Sequence, residues 1–177
     1  MPVPSSDLPA VARTHLRAAL TNPTAYNAVR DRLNAAFGTL TNATAATLTV
    51  TAASHAGQTI TLNRAAGITV TLPAATGTGN WYRFFVGTTV TSNNHVIRVA
   101  DATDTMDGTA WMAQDGGDTD VAFEAGTTDD TITLNGSTKG GIIGDFIVLT
   151  DVAADQWSVQ AWLQGTGTEA TPFSAAV

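Results

Sequence analysis

Two short runs near the middle of the chain fix its class. Thr59-Ile60-Thr61-Leu62 and Thr69-Val70-Thr71-Leu72 alternate polar and apolar residues without a break. Strict alternation puts successive side chains on opposite faces, one toward a core and one toward water, which is the period of a strand. The five residues Asn63-Arg64-Ala65-Ala66-Gly67 join the runs, and Pro73 with Gly77-Thr78-Gly79 closes the stretch. A short connection ending in glycine predicts a β-hairpin.

The rest of the chain repeats this texture. Threonine is abundant, with about 30 copies in 177 residues, and its β-branched side chain suits a pleated surface. Strands are expected over 47–52, 58–63, 67–72, 81–90, 95–99, 121–124, 131–134, 142–149 and 157–163, with one more around Met106–Ala113. Turn signals separate nearly all of them: Ser92-Asn93-Asn94, Asp115-Gly116-Gly117, Asn135-Gly136 and Gly140-Gly141. Many short strands at close spacing predict a mainly β fold, an antiparallel β-sandwich or barrel. Thr59–Asn63 recurs as Thr131–Asn135, which reads as two equivalent hairpins or as chance in a Thr-rich chain. No sustained repeat of the solenoid kind extends beyond residues 47–72.

The first 40 residues break the pattern. Ser5, Ser6 and Asp7 offer helix caps ahead of Leu8, Val11, Ala12, Leu16 and Leu20 at helical spacing. Asn22-Pro23 ends that helix and starts another, whose apolar face is Tyr26, Val29, Leu33 and Phe37, with Gly38 behind it. The expected organisation is therefore a two-helix N-terminal arm over 1–40, a β domain over 41–164 and an extended C-terminal tail over 165–177. Within it, residues 39–46 form a small-residue linker. Phe173, behind Pro172, is an apolar anchor that either folds back on the domain or docks on a neighbour.

Charge divides the same way. Residues 1–40 hold four arginines against two aspartates, a balance of +2. The remainder holds four basic residues against thirteen acidic ones, a balance of −9. A phosphate backbone needs a basic footprint, so nucleic acid is not an expected partner of the β part. A helix-turn-helix reading of the arm has four arginines in its favour, but its faces are not strongly basic, and a packing arm fits better. No apolar run reaches the ~18–20 residues of a membrane-spanning helix, and Met1–Pro4 lacks the pattern of a signal peptide. A soluble protein made in the cytoplasm, with no membrane partner, is the expectation. With no cysteine, disulfides and thiol chemistry are excluded.

Few residues suggest chemistry. His15, His55 and His95 have no ligand partner at i+2 or i+4 and read as solvated turn or surface histidines. Asp101–Asp107 and Asp115–Asp120 are Asp- and Gly-rich, as calcium loops are, but their spacing does not match the helix–loop–helix calcium motif, and ordinary turns use the same residues. There is no Gly-x-Ser-x-Gly elbow and no phosphate loop. Lys139 reads as a turn lysine. No cofactor is expected. An enzyme that cleaves polysaccharide would need two carboxylates across a cleft, and only two glutamates are present.

The aromatics are more informative. Trp157, Val159, Ala161 and Leu163 share one strand face and read as core, with Trp162 on the other face. Trp81, Arg83 and Phe85 lie opposite Tyr82, Phe84 and Val86, so that strand is apolar on both faces. Its second face is expected to be covered by the arm or by another subunit. An exposed Trp such as Trp111 also admits sugar stacking.

Several phrases together carry a resemblance: Gln58–Asn63, Gly67–Pro73, Gly77–Gly79, Phe84–Thr91, Asp129–Gly136, Gly140–Asp145, Trp157 and Gly165–Ser174. Residues 47–177 resemble small structural proteins of tailed bacteriophages, nearest to head decoration or cement proteins. The resemblance implies a β-rich homotrimer on the capsid exterior that bridges major capsid subunits and has no enzymatic activity. Together with the stripe described above, it points to Leu16, Leu20, Tyr26, Val29, Leu33, Phe37, Trp81, Arg83, Phe85 and Phe173 as capsid or subunit interface residues. A receptor- or glycan-binding tail or head-fibre module is the alternative.

Overall fold

The first half of the β region alternates between two sheets as it runs. The computed structural model describes residues 24, 40–114 and 120–177, and all the elements below lie in the unit Gly38–Val177. They are β1 (Leu40–Ala43), β2 (Thr47–Thr49), the short helix α1 (Ala52–His55), β3 (Gln58–Leu62), β4 (Thr69–Thr71), β5 (Trp81–Val86) and β6 (His95–Arg98). They continue with β7 (Thr105–Gln114), β8 (Val121–Glu124), β9 (Thr131–Leu134), β10 (Phe146–Ala153), β11 (Gln156–Gly165) and β12 (Phe173–Ser174). The larger sheet has the order β1-β3-β5-β10-β11-β7-β8, and the smaller one β12-β9-β6-β4-β2.

Through β6 the odd strands stack in parallel in the larger sheet and the even strands in parallel in the smaller. Each passage across both sheets is one coil. Leu40 pairs with Thr59, and Thr59 with Arg83. Thr47 pairs with Thr69, and Thr69 with Val96. A parallel pair needs a long crossover, and here the crossover is a strand of the opposite sheet.

The predicted hairpin is therefore corrected: β3 and β4 belong to different sheets. Gly67 has φ 77° and turns the chain across the gap, and a Cβ there would sit 2.2 Å from the carbonyl oxygen of Asn94 in the next coil. The corner is bonded to its neighbour through the Asn63 and Thr69 amides, which donate to the Ala43 and Ala46 carbonyls. Leu40–Ala43, expected as linker, is the first strand of this winding.

The second half is laid on differently. β10 enters antiparallel to β5 and to β11, while β11 runs parallel to β7 over ten residue pairs. β9 is antiparallel to β6. The fold is mainly β, as expected, but both sheets are mixed rather than antiparallel. The Thr59–Asn63 and Thr131–Asn135 phrases are not equivalent, since β3 is a parallel strand of one sheet and β9 an antiparallel strand of the other.

Inward residues of both sheets form one hydrophobic cluster, with Ile60, Tyr82, Phe84, Leu149 and Trp157 from the larger and Val70, Ile97, Ile132 and Leu134 from the smaller. Tyr82 and Trp157 pack with ring centroids 5.8 Å apart.

The C-terminal residues fold back on the domain, the first of the two outcomes expected for Phe173. Phe173 is buried in the core and β12 pairs with β9. The Asp130 carboxylate accepts the amides of Ala176 and Val177 at 2.8 and 3.2 Å. A two-residue strand leaves no alternation to read, which is why this return looked like a tail. Among the described residues no helix is long and apolar enough to cross a membrane.

Candidate functional site

Because neighbouring strands are in register, aromatic residues far apart in sequence come into one row on the outer face of the larger sheet. Phe85 of β5 is opposite Phe146 of β10, Phe146 is opposite Trp162 of β11, and Trp162 is opposite Trp111 of β7. Strands lie ~4.8 Å apart, so the row is about 15 Å long. Trp111 is 54% and Trp162 47% exposed, far above the ordinary state of tryptophan. Phe146 and Trp162 stack on each other with centroids 5.1 Å apart and planes 16° from parallel. Trp81, four residues along β5 from Phe85, is also exposed.

Two shallow depressions flank the tryptophans. One of about 340 Å3 lies between the row and Asp120, Gly144 and Gln164. The other, about 430 Å3, is lined by Gly108, Thr109, Ser158 and Gln160 as well as by both tryptophans. β7, β8, β10 and β11 carry no lysine or arginine. Asp107 and Glu124 are exposed on this face, and Asp120 is exposed at the first depression. Arg83 stands on the same outer face, two positions along β5 from Phe85, and its guanidinium donates to the Thr59 hydroxyl at 2.7 and 3.0 Å.

Of the expected interface residues, Trp81, Arg83 and Phe85 occupy the outer face of β5, as alternation placed them. Phe173 is corrected to core, at 4% exposure. Leu16, Leu20, Tyr26, Val29, Leu33 and Phe37 lie outside the described residues. The structure adds Phe146, Trp162 and Trp111. The outward direction of Trp162 was readable from period two; that β11 lies beside β7 and β10 was not.

The buried acids hold turns. Asp151 accepts the amides of Thr76, Gly77 and Thr78 and the Thr78 hydroxyl, at 2.6–3.0 Å. Those bonds outweigh its burial and hold its pKa below the ordinary carboxylate value. Asp145 accepts amides of Gly141, Ile142 and Gln164, yet deeper burial pushes its pKa up. Asp104 is buried against the Ala75 amide, and burial raises its pKa too.

The acidic stretch 101–107 does not converge on a cation. Asp101 caps its own turn at Thr103, Asp104 faces inward and Asp107 faces outward on β7. Asp115 and Asp118 lie outside the described residues. Among the described residues, no group of three His, Asp or Glu side chains is arranged to hold a metal ion. His95 is not the solvated histidine expected: it is fully buried, its Nδ1 accepts the Ile68 amide at 3.1 Å, and burial lowers its pKa.

No protein-family model matches the chain, and no curated protein matches it either.

Proposed function

We propose that this chain is a non-enzymatic virion structural protein that decorates and stabilises a bacteriophage capsid by bridging major capsid subunits. The observation that carries the reading is the outward row Phe85–Phe146–Trp162–Trp111. Aromatic residues concentrated at the centre of a rigid surface are the usual anchors of protein interfaces. The resemblance of residues 47–177 to phage decoration proteins supplies the partner class. The body suits a shell component: its buried carboxylates are engaged in bracing turns, and charged residues make up only 13% of the chain.

On this reading the two sheets form a sandwich, and residues 1–40 form a two-helix arm that also docks. The protein is a homotrimer on the capsid exterior, with the major capsid protein as its partner and no nucleic acid, membrane or cofactor involved. Contacts that are weak one by one add through avidity when several subunits bind together.

A receptor- or glycan-binding module of a tail or head fibre is the second reading, favoured by the exposure of Trp111 beside polar depressions. A sugar stacks on a free ring face, however, and Phe146 and Trp162 cover one another's faces. Cryo-EM of virions tests the choice. The decoration reading expects density of this size where capsid subunits meet, and density confined to the tail or fibres would sink it.

A further inference from the structure

We propose that the depression beside Trp111 and Trp162 receives a guanidinium group from an arginine on the surface of the protein partner. The inference rests on the protein-docking reading of the aromatic row. Three properties of the depression select this chemistry.

Its lining includes the rings of Trp111, Trp162 and Phe146; Phe146 and Trp162 stack on each other, and Trp111, the most exposed, is the ring left for a ligand. A cation over tryptophan is attracted by the ring quadrupole, and arginine is the cation that most often uses it. Two of its lining side chains, Asp120 and Gln164, offer acceptors. Asp120 contributes a carboxylate. Gln164 directs its amide nitrogen inward, donating to the Ile143 carbonyl at 3.1 Å and to Asp145 Oδ1 at 3.2 Å. A carboxylate only accepts, so the amide atom facing Asp145 is the NH2 group, and both its hydrogens are used. What Gln164 has left for a ligand is its oxygen. A site offering acceptors and π faces suits a planar group with many donors, and guanidinium is that group.

The third property is the field. Asp120 lines the depression, the four strands around it carry no basic residue, and Arg83 of β5, on the same face, is engaged with the Thr59 hydroxyl. A basic partner surface is complementary to this face, and an acidic one is repelled. Aliphatic ammonium fits less well: lysine is a strongly hydrated point charge that neither stacks nor bonds a carboxylate in a bidentate way.

The test uses the full chain and three capped peptides, glycine-rich with three arginines, three lysines or three citrullines. Citrulline keeps the shape of arginine without the charge. Binding is read from the indole N–H resonances near physiological ionic strength. The arginine peptide is expected to move Trp111 and Trp162 and to leave Trp81 and Trp157 in place. The citrulline peptide should bind at least tenfold more weakly, and the lysine peptide severalfold more weakly. Trp111→Ala should weaken the arginine peptide about tenfold, and Asp120→Asn a few-fold, with the effect shrinking as salt rises. Both positions are exposed, so near-UV circular dichroism should confirm that the variants stay folded.

Unmoved Trp111 and Trp162, a citrulline peptide as good as arginine, or equal binding of lysine would each overturn the inference. So would maltoheptaose moving the same resonances while the arginine peptide does not. Capsid and site are separable: arginine binding with tail-only virion density removes the capsid reading and leaves the site, and the opposite pair of results does the reverse.

Discussion

The larger sheet carries aromatics on both faces and uses them differently. Tyr82, Phe84 and Trp157 face inward and are buried within the hydrophobic cluster. Phe85, Trp111 and Trp162 face outward, and each keeps more than a third of its surface exposed. On β5, Phe84 and Phe85, and on β11, Trp157 and Trp162, share a strand and a residue type; only the parity of the position differs. Burial stabilises the inner set, at roughly 25 cal/mol per Å2 of apolar surface removed from water. The outer set gains much less from the fold, so its concentration in one row points to use by a partner.

The comparison breaks first where its inner side is cut. Trp157→Ala should cost about 3–5 kcal/mol through lost burial and a cavity, against less than ~1 kcal/mol for Trp162→Ala. Urea denaturation of the two variants measures both, and similar losses would show that the outer row is structural.

Next comes Gly108→Ala. Gly108 has φ 145°, and a Cβ there would sit 2.0 Å from the Val159 carbonyl oxygen across the β7–β11 pair that carries both outer tryptophans. A loss of about 1–3 kcal/mol is expected, together with weaker partner binding because the row is displaced.

Asp151→Asn should remove about 1.5–3 kcal/mol, since four donors lose a charged acceptor. It should leave the indole resonances of the outer tryptophans unchanged. Its pKa is lowered in the folded state, so its contribution is present above pH ~4 and is lost as pH falls through the folded value. Acid unfolding of the variant should accordingly be flatter than that of the parent at low pH.

The smallest effect belongs to His95. Burial lowers its pKa in the fold, while the unfolded chain takes up a proton near pH ~6.5. Below that pH the unfolded state binds more protons, so this residue lowers stability as the solution is acidified. Asp104 and Asp145, with pKa values raised by burial, act in the opposite sense as they bind protons in the folded state. The His95 contribution is therefore read from its own imidazole resonances, whose titration midpoint should lie below that of an exposed histidine. A midpoint at or above the exposed value would refute it.

Local physics made the strands and their faces legible in the sequence. Val121–Glu124 and Thr131–Leu134 match the observed strands residue for residue, and alternation put Trp157 inside and Trp162 outside. Pairing was not legible, because it depends on where distant segments land. The winding was hidden by its irregularity: successive Cα partners lie 19 residues apart between Leu40 and Thr59 but 27 apart between Thr69 and Val96. No fixed period survives such variation. The turn-bracing role of Asp151 was equally hidden, since its partners lie more than seventy residues earlier. So the outer row could be seen only in pieces: Trp81, Arg83 and Phe85 from one strand, and Trp162 and Trp111 singly.

The most direct test of the central claim combines stability with binding in one variant. Trp111 and Trp162 are changed together to serine, and the full chain is compared with its parent for its urea midpoint and for co-sedimentation with capsids lacking it. An unfolding free energy within about 1 kcal/mol of the parent, as for exposed substitutions, and a loss of capsid binding are expected. A destabilised protein, or one that still binds as tightly as the parent, would contradict the claim.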